Sequence, residues 1–263
     1  MRTMLKVIGY QIRDVVRSRW LIAYALFFLL ATDALLRFGG ADAKALLSLS
    51  NVVLLVIPLV ALVFGTMHVY NAREFTELLL AQPVGRRALF GGLYFGLAIP
   101  LSAAFALGVG IPVIVHGVPV GELGTSAAAL VAVGVALSFV FTATAFCLAI
   151  RVQDKSRGLG AAIALWLGLA VLYDGLVLLL VSLFADYPLE RPLLGAMVAN
   201  PVDLARVVLL LRFDVSALMG YTGAVFKNFF GGSGGLAVAV IALALWVTVP
   251  TWLGVRAFQR KDF

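Results

Sequence analysis

The chain has 263 residues, of which 63% are hydrophobic and 13% charged, with a mean hydropathy of +1.07; soluble domains average about 45–50% apolar and about 25% charged residues. One soluble core of this size cannot hide so much apolar surface, so soluble enzymes and nucleic-acid-binding domains are excluded, and the net charge of +7 reads as the loop charge of a membrane protein. The single Cys147 excludes a disulfide framework and any paired-cysteine zinc site.

Residues 1–19 are amphipathic: Leu5, Ile8, Ile12, Val15 and Val16 recur at helical spacing among Arg2, Lys6, Arg13 and Arg17. This pattern predicts an interfacial helix lying on the membrane ahead of the first span. A hydrocarbon core about 30 Å thick needs roughly 20 mostly apolar helical residues to cross it. Six stretches qualify: 20–36, 52–70, 88–115, 124–150, 159–184 and 235–258. The first carries Asp33 near its end, and Ala41-Asp42-Ala43 beyond it has the form of a cleavage site. The long amphipathic lead differs, however, from the short basic tag of a signal peptide.

Between spans two and three, residues 71–87 read as a short amphipathic helix, a proline turn and two arginines. Span three contains Pro100 and Pro112 with Gly96, Gly108 and Gly110, which predicts a kinked helix because proline removes a ladder donor. A short turn near His116–Gly121 leads to span four, and Arg151–Arg157 connects spans four and five. Mid-span in the fifth stretch sits Asp174. An intramembrane charge costs roughly 2.5–3.5 kcal/mol on insertion scales. Two readings stay open for it: a polar element of a translocation path or switch, or a carboxyl that joins two spans by hydrogen bonding.

Residues 185–234 are too long for an idle connector. Within them Asn200-Pro201-Val202-Asp203 has the form of a helix start, with an Asn cap, Pro at the first position and an acid in the first turn. The helix runs to about Leu211, and Asp203 and Arg206 can pair on its surface. A second helix near 216–230 carries Ser216, Gly220 and Ala224 at close-packing spacing, and Gly231–Gly235 is a hinge into the last span.

With these spans, fourteen of the twenty Lys and Arg residues fall on one side, in the N-terminal segment, the 71–87 and 151–157 loops and the C-terminal end. Positive-inside topology then predicts both termini in the cytoplasm of a multi-pass bacterial inner-membrane protein. No phosphate loop, HExxH or GxSxG motif is present, so no enzyme of its own is expected. Met67 and His68 are conceivable metal ligands near the end of span two, but the remaining soft ligands are scattered, and no metal site is assigned. No pair of broken helices and no internal repeat points to a secondary transporter.

The loop Asn71-Ala72-Arg73-Glu74-Phe75-Thr76-Glu77-Leu78-Leu79-Leu80-Ala81-Gln82-Pro83-Val84-Gly85-Arg86-Arg87 resembles the corresponding loop of ABC-2 type permeases, which carries an acidic pair or Arg-Glu, a leucine run, Pro-Val and a basic residue. Arg73, Glu74, Leu78, Leu79, Leu80, Pro83, Val84 and Arg86 match, and Phe75, Glu77 and Arg87 belong to the same loop. The resemblance implies that this loop is a coupling helix docking into a separate cytoplasmic ATPase, with Gln153, Asp154 and Lys155 as a second contact. The Glu-Glu-x-Gly-Thr pattern of many relatives is replaced here by Arg73-Glu74-Phe75-Thr76-Glu77. More narrowly, Tyr173-Asp174, the run 200–206 and the run 213–226 resemble the membrane subunits of Nos ABC transporters, which mature the copper sites of nitrous oxide reductase alongside an ATPase and a periplasmic β-helical protein.

The resulting expectation is an all-α integral membrane protein, a single ABC-2 type domain with six transmembrane helices, an N-terminal interfacial helix, a cytoplasmic coupling helix and an outer helical segment between spans five and six. The resemblance implies a homodimer in the lipid bilayer with no cofactor in this chain, ATP and Mg being bound by the ATPase. The polar residues inside the membrane are Asp174 and Asp33, and contacts to a periplasmic partner are expected at Asn200, Asp203, Arg206, Phe213, Asp214, Met219 and Tyr221. An exporter of a lipid or drug-like substrate and a non-transporting anchor for an ATPase remain as alternatives.

Overall fold

A computed structural model of the chain describes residues 2–40, 43–82, 84–118, 121–184, 190–213 and 233–260. Among these residues all regular structure is helical: α1 (Arg2–Val16), α2 (Arg19–Gly39), α3 (Ala43–Asn71), α4 (Arg73–Leu80), α5 (Arg86–Val115), α6 (Glu122–Arg151), α7 (Lys155–Leu167), a π-helical turn (Gly168–Leu172), α8 (Tyr173–Leu183), α9 (Glu190–Ala199), α10 (Pro201–Arg212) and α11 (Ser233–Arg260). Six of the helical stretches are long and apolar enough to cross a membrane, with α7, the π turn and α8 forming one of them. The chain is therefore an all-α, multi-pass membrane protein, as expected.

The second span begins at Ala43 rather than near 52, because Leu46 and Leu49 continue its packed face beyond Lys44. Gly40, at φ 76°, allows the sharp reversal between α2 and α3. The Ala41-Asp42 motif falls outside the described residues. Helix α5 runs from Arg86 to Val115 as one element through both Pro100 and Pro112.

Helix α6 is the centre of the bundle, packed against α3, α5, α10 and α11. Lipid tails are as apolar as leucine, so helices in a bilayer associate through close packing and polar contacts rather than by escaping water. The α6 sequence supplies the close packing. Ala145 lies against Gly65 of α3, and Gly134 lies beneath the ring of Phe105 of α5, where a side chain would have no room. Tyr94 of α5 donates a hydrogen bond to the Phe139 carbonyl at 3.1 Å, and Trp166 of α7 donates to Leu55 of α3 at 3.0 Å.

The N-terminal helix is present, and the structure shows which of its residues pack on the bundle. Val7, Gln11 and Val15 are buried, while Leu5 and Val16 are exposed. The reason lies in the partner: Met4, Val7 and Gln11 seat against Gly91, Gly92 and Gly96 of α5, a smooth strip that admits a polar Gln as readily as an aliphatic residue. Gly96→Val places a branched side chain where Gln11 now sits. It is expected to cost about 1–3 kcal/mol through overpacking and to open α1 to trypsin at Arg13, read by thermal unfolding and limited proteolysis in detergent. Unchanged stability together with unchanged cleavage would show that α1 is not seated there.

A second difference concerns α9 and α10. The stretches Pro192–Ala199 and Pro201–Arg212 meet at 109°, a broken span or a re-entrant hairpin, a broken-helix feature that the sequence did not reveal. The expected surface helix from Pro201 is instead enclosed: Val202, Asp203, Leu204, Ala205, Val207 and Leu209 are all buried against α6, α3 and α11. Its spacing of apolar residues covers more than one face, which is the signature of enclosure rather than of a helix floating on a surface.

Candidate functional site

Two polar features stand out in this otherwise apolar bundle. The first is the pole where α4, the 152–154 connection and the end of α11 meet. Helix α4 starts immediately after the second span, and Thr76 is buried beneath it. Leu79, Leu80 and Val84 pack onto a cluster that includes Leu89, Phe90, Tyr94, Phe146 and Phe258. Anchoring one side of α4 leaves the other free. Glu74, Glu77 and Leu78 face outward, Leu78 with 70% of its surface exposed.

Neighbouring segments brace this helix. Phe75 stacks on Tyr10 of α1 with ring centroids 5.4 Å apart. Arg86 donates to the Gln259 carbonyl of α11 at 2.7 Å. Tyr70 donates to the Val152 carbonyl at 2.8 Å, and Lys155 donates to Asn71 Oδ1 at 3.2 Å. Asp154 caps α7 by accepting from the Arg157 amide at 2.7 Å, the usual role of an Asp N-cap. Gln153, Asp154, Lys155 and Arg87 are exposed, whereas Arg73 and Arg86 are half-buried. The two loops singled out in the sequence thus lie side by side, while Pro83 falls outside the described residues. Tyr10, Tyr70 and Gln259 escaped notice because each acts through a partner far away in the chain.

The second feature is a polar lock inside the bundle. At Gly168–Leu172 the fifth span makes a π-helical turn; such turns insert an extra residue into the ladder and free backbone groups for other partners. The Leu169 carbonyl accepts from Asn200 Nδ2 at 2.8 Å. Just beyond, Tyr173 donates to the Ala196 carbonyl at 2.6 Å. Asn200, wholly buried, uses its Oδ1 to cap α10 at the Val202 amide, 3.0 Å away. One side chain thereby starts α10 and ties the α9–α10 elbow to the fifth span.

One turn further along, Arg206 Nη1 donates to Asp174 Oδ2 at 2.5 Å and to Asp203 Oδ1 at 3.2 Å. Asn200 Nδ2 also reaches Asp203 Oδ2 at 3.1 Å. Asp174 is therefore the partner of a cation on the inserted helix, which removes most of the penalty that an isolated carboxylate in lipid would carry. The guanidinium suits this task because it stays charged and offers several fixed donors to acceptors on two helices. Trp246 of α11 completes the attachment by donating to the Val198 carbonyl at 3.2 Å.

The expected Asp203–Arg206 pair is formed, but facing the spans rather than on a free surface, since Asp203 is only 5% exposed. Asn200 and Phe213 are buried too, so these three side chains offer little to an outer partner in this structure; Arg206 is half-buried. Asp214, Met219 and Tyr221, with the second outer helix, fall outside the described residues. Asp33 pairs with His116 at 2.8 Å, joining α2 to the end of α5. His68 keeps its Nε2 buried beside Phe146, and among the described residues no group of three His, Cys, Asp or Glu gathers for a metal.

No family model matches the chain. Across 93% of its length it is 28% identical to the protein named probable ABC transporter permease protein NosY of Pseudomonas aeruginosa, 91% of which is covered. It is 27% identical to the protein of the same name from Stutzerimonas stutzeri, with the same shares of both chains. The resemblance to ABC permeases read from the 71–87 loop thus extends over nearly the whole polypeptide, and it supports a permease subunit of an ABC transporter rather than an enzyme.

Proposed function

We propose that this chain is the passive, membrane-spanning half of an ABC transporter, driven by a separate cytosolic ATPase that docks on α4. The observation that carries the reading is the position of α4: a short helix held outside the spans, anchored on one side and presenting Glu74, Glu77 and the bare Leu78 on the other. An exposed leucine beside two acids is a poor choice for idle surface and a good one for an interface core with a polar rim. The same pole carries most of the basic residues, a distribution that supports a cytoplasmic side for it and for both termini. ATP and Mg belong to the docked subunit.

Two copies assemble around the fifth and neighbouring spans. Within one chain α8, the second half of the fifth span, buries none of its residues, which leaves an apolar face for lipid or for a second copy. Closure of the ATPase pair then pushes α4, and the braces at Tyr10, Arg86 and Asn71 pass the movement to α1, α11 and the bases of spans two and five. The Asp174–Arg206 lock couples a tilt of span five to the α9–α10 elbow. From there it reaches a periplasmic β-helical partner through Arg206 and the segment that holds Asp214, Met219 and Tyr221.

In the narrower form of this proposal the work serves copper-site assembly of nitrous oxide reductase, following the resemblance to Nos membrane subunits. Force transmission or movement of a sulfur species fits the poor inventory of soft metal ligands better than carriage of bare copper. Reconstitution tests the core of the reading. Proteoliposomes holding this chain alone are expected to be inert, and adding a cognate ABC ATPase with ATP should restore function. Full activity of the isolated chain would overturn the assignment.

A further inference from the structure

Between α6, α10 and α11 the bundle leaves an unfilled cleft of about 510 Å³, partly open to the outside. Ala129, Ala132 and Ala136 form one wall, and Leu236, Leu243 and Val247 form the other. The alanines recur on one face of α6, and their short side chains leave this part of its contact with α11 unfilled. An empty apolar cleft forfeits dispersion contacts along its whole lining, and water, which needs two to four polar partners, has few here. The occupant is therefore apolar.

Its length and polarity are also set. From Ala129 to Phe139 the α6 wall rises about 15 Å, and the α11 wall from Leu236 to Val247 rises about 16 Å. That is half of a hydrocarbon core about 30 Å thick, the depth of one leaflet. The lining holds one charged residue, Arg212, at the end of α10. The Ser126 hydroxyl donates to the Arg212 carbonyl at 3.2 Å, which holds this end of α10 at the first turns of α6, where the span starts. Among the described residues no carboxylate pairs with the Arg212 guanidinium.

We propose that this cleft holds one acyl chain of an anionic phospholipid, whose phosphate rests on Arg212. The lipid is a resident of each protein chain rather than cargo, and its binding requires neither ATP nor the ATPase. A cation at the mouth of a groove one leaflet deep matches a phosphate at the head of an acyl chain. Arginine satisfies phosphate oxygens with paired donors, and its long stem reaches the headgroup level from a helix end. The zwitterionic phosphatidylethanolamine carries an ammonium that offsets its phosphate, so the site favours phosphatidylglycerol.

The test is native mass spectrometry of the full-length protein after exchange against equimolar phosphatidylglycerol and phosphatidylethanolamine. Wild type is expected to retain phosphatidylglycerol about fivefold over phosphatidylethanolamine, the ratio that one basic residue near an anionic headgroup supplies. Arg212→Gln should bring the ratio to unity while lipid is still retained, and Ala136→Phe, which fills the cleft, should remove the retained lipid of both kinds. Wild type that holds no lipid, an equal ratio in wild type, or a preference that survives Arg212→Gln would each overturn the proposal. If Ala136→Phe does not fold, the Arg212→Gln ratio decides alone.

Discussion

Arg206→Ala is expected to destabilise the protein by about 2–3 kcal/mol and to detach the α9–α10 elbow from the fifth span. The substitution leaves Asp174 and Asp203 facing each other without the cation that both accept from. Removing one member of an enclosed ion pair costs about 3–5 kcal/mol, because the other charge stays behind without a partner. The lower figure applies here because the Arg206 and Asp174 side chains keep 31% and 35% of their surface exposed in the single chain. Asp174→Asn should cost less, since Arg206 then retains Asp203. Combining Asp174→Asn and Asp203→Asn with Arg206→Gln should recover most of the loss, because no net charge remains to be neutralised. Thermal unfolding of all variants in one detergent measures the series. Additive effects of Arg206→Ala and Asp174→Asn would show that the two residues do not act as a pair.

This lock marks the boundary between what the sequence reveals and what only the fold shows. The Asn200 cap and the three-residue spacing from Asp203 to Arg206 are local rules, and both bonds are formed where those rules place them. Asp174 is conspicuous in the sequence as a charge in an apolar run, but its partner lies 32 residues away on a helix that reads as a surface element. The π-helical turn is equally silent, since Gly168-Leu169-Ala170-Val171-Leu172 has the composition of any span. Periodicity reports that a residue faces something; it does not report what. For the same reason nothing in the α1 sequence marks the polar Gln11 as the residue buried against Gly96. The six spans and the α4 helix were legible because hydropathy over about 20 residues and a polar break between two apolar runs are properties of continuous chain. Asp33 with His116, 83 residues apart, was not.

At the opposite functional end, Leu78→Asp is expected to weaken binding of the ATPase about 30-fold, equivalent to about 2 kcal/mol, while leaving the fold intact. Leu78 is 70% exposed and sits between Glu77 and the inward-facing Leu79 and Leu80. Water meets the mutant carboxylate as easily as it met the leucine in the free chain, so stability should stay within about 0.5 kcal/mol of wild type. In the complex the same carboxylate is forced into the centre of the contact, where a charge without a partner is costly. Leu80→Asp provides the contrast: Leu80 packs on the cluster beneath α4, so its loss should appear first as lowered thermal stability. Phe75→Ala separates contact from transmission, because it removes the stack on Tyr10 without touching the exposed tip. It should bind the ATPase normally and show ATP hydrolysis with impaired work across the membrane. Affinity measured by biolayer interferometry in nanodiscs, beside thermal unfolding, distinguishes the three. If Leu78→Asp bound the ATPase as tightly as wild type, α4 would not be the docking element, because no other described residue of this helix presents a comparable apolar tip.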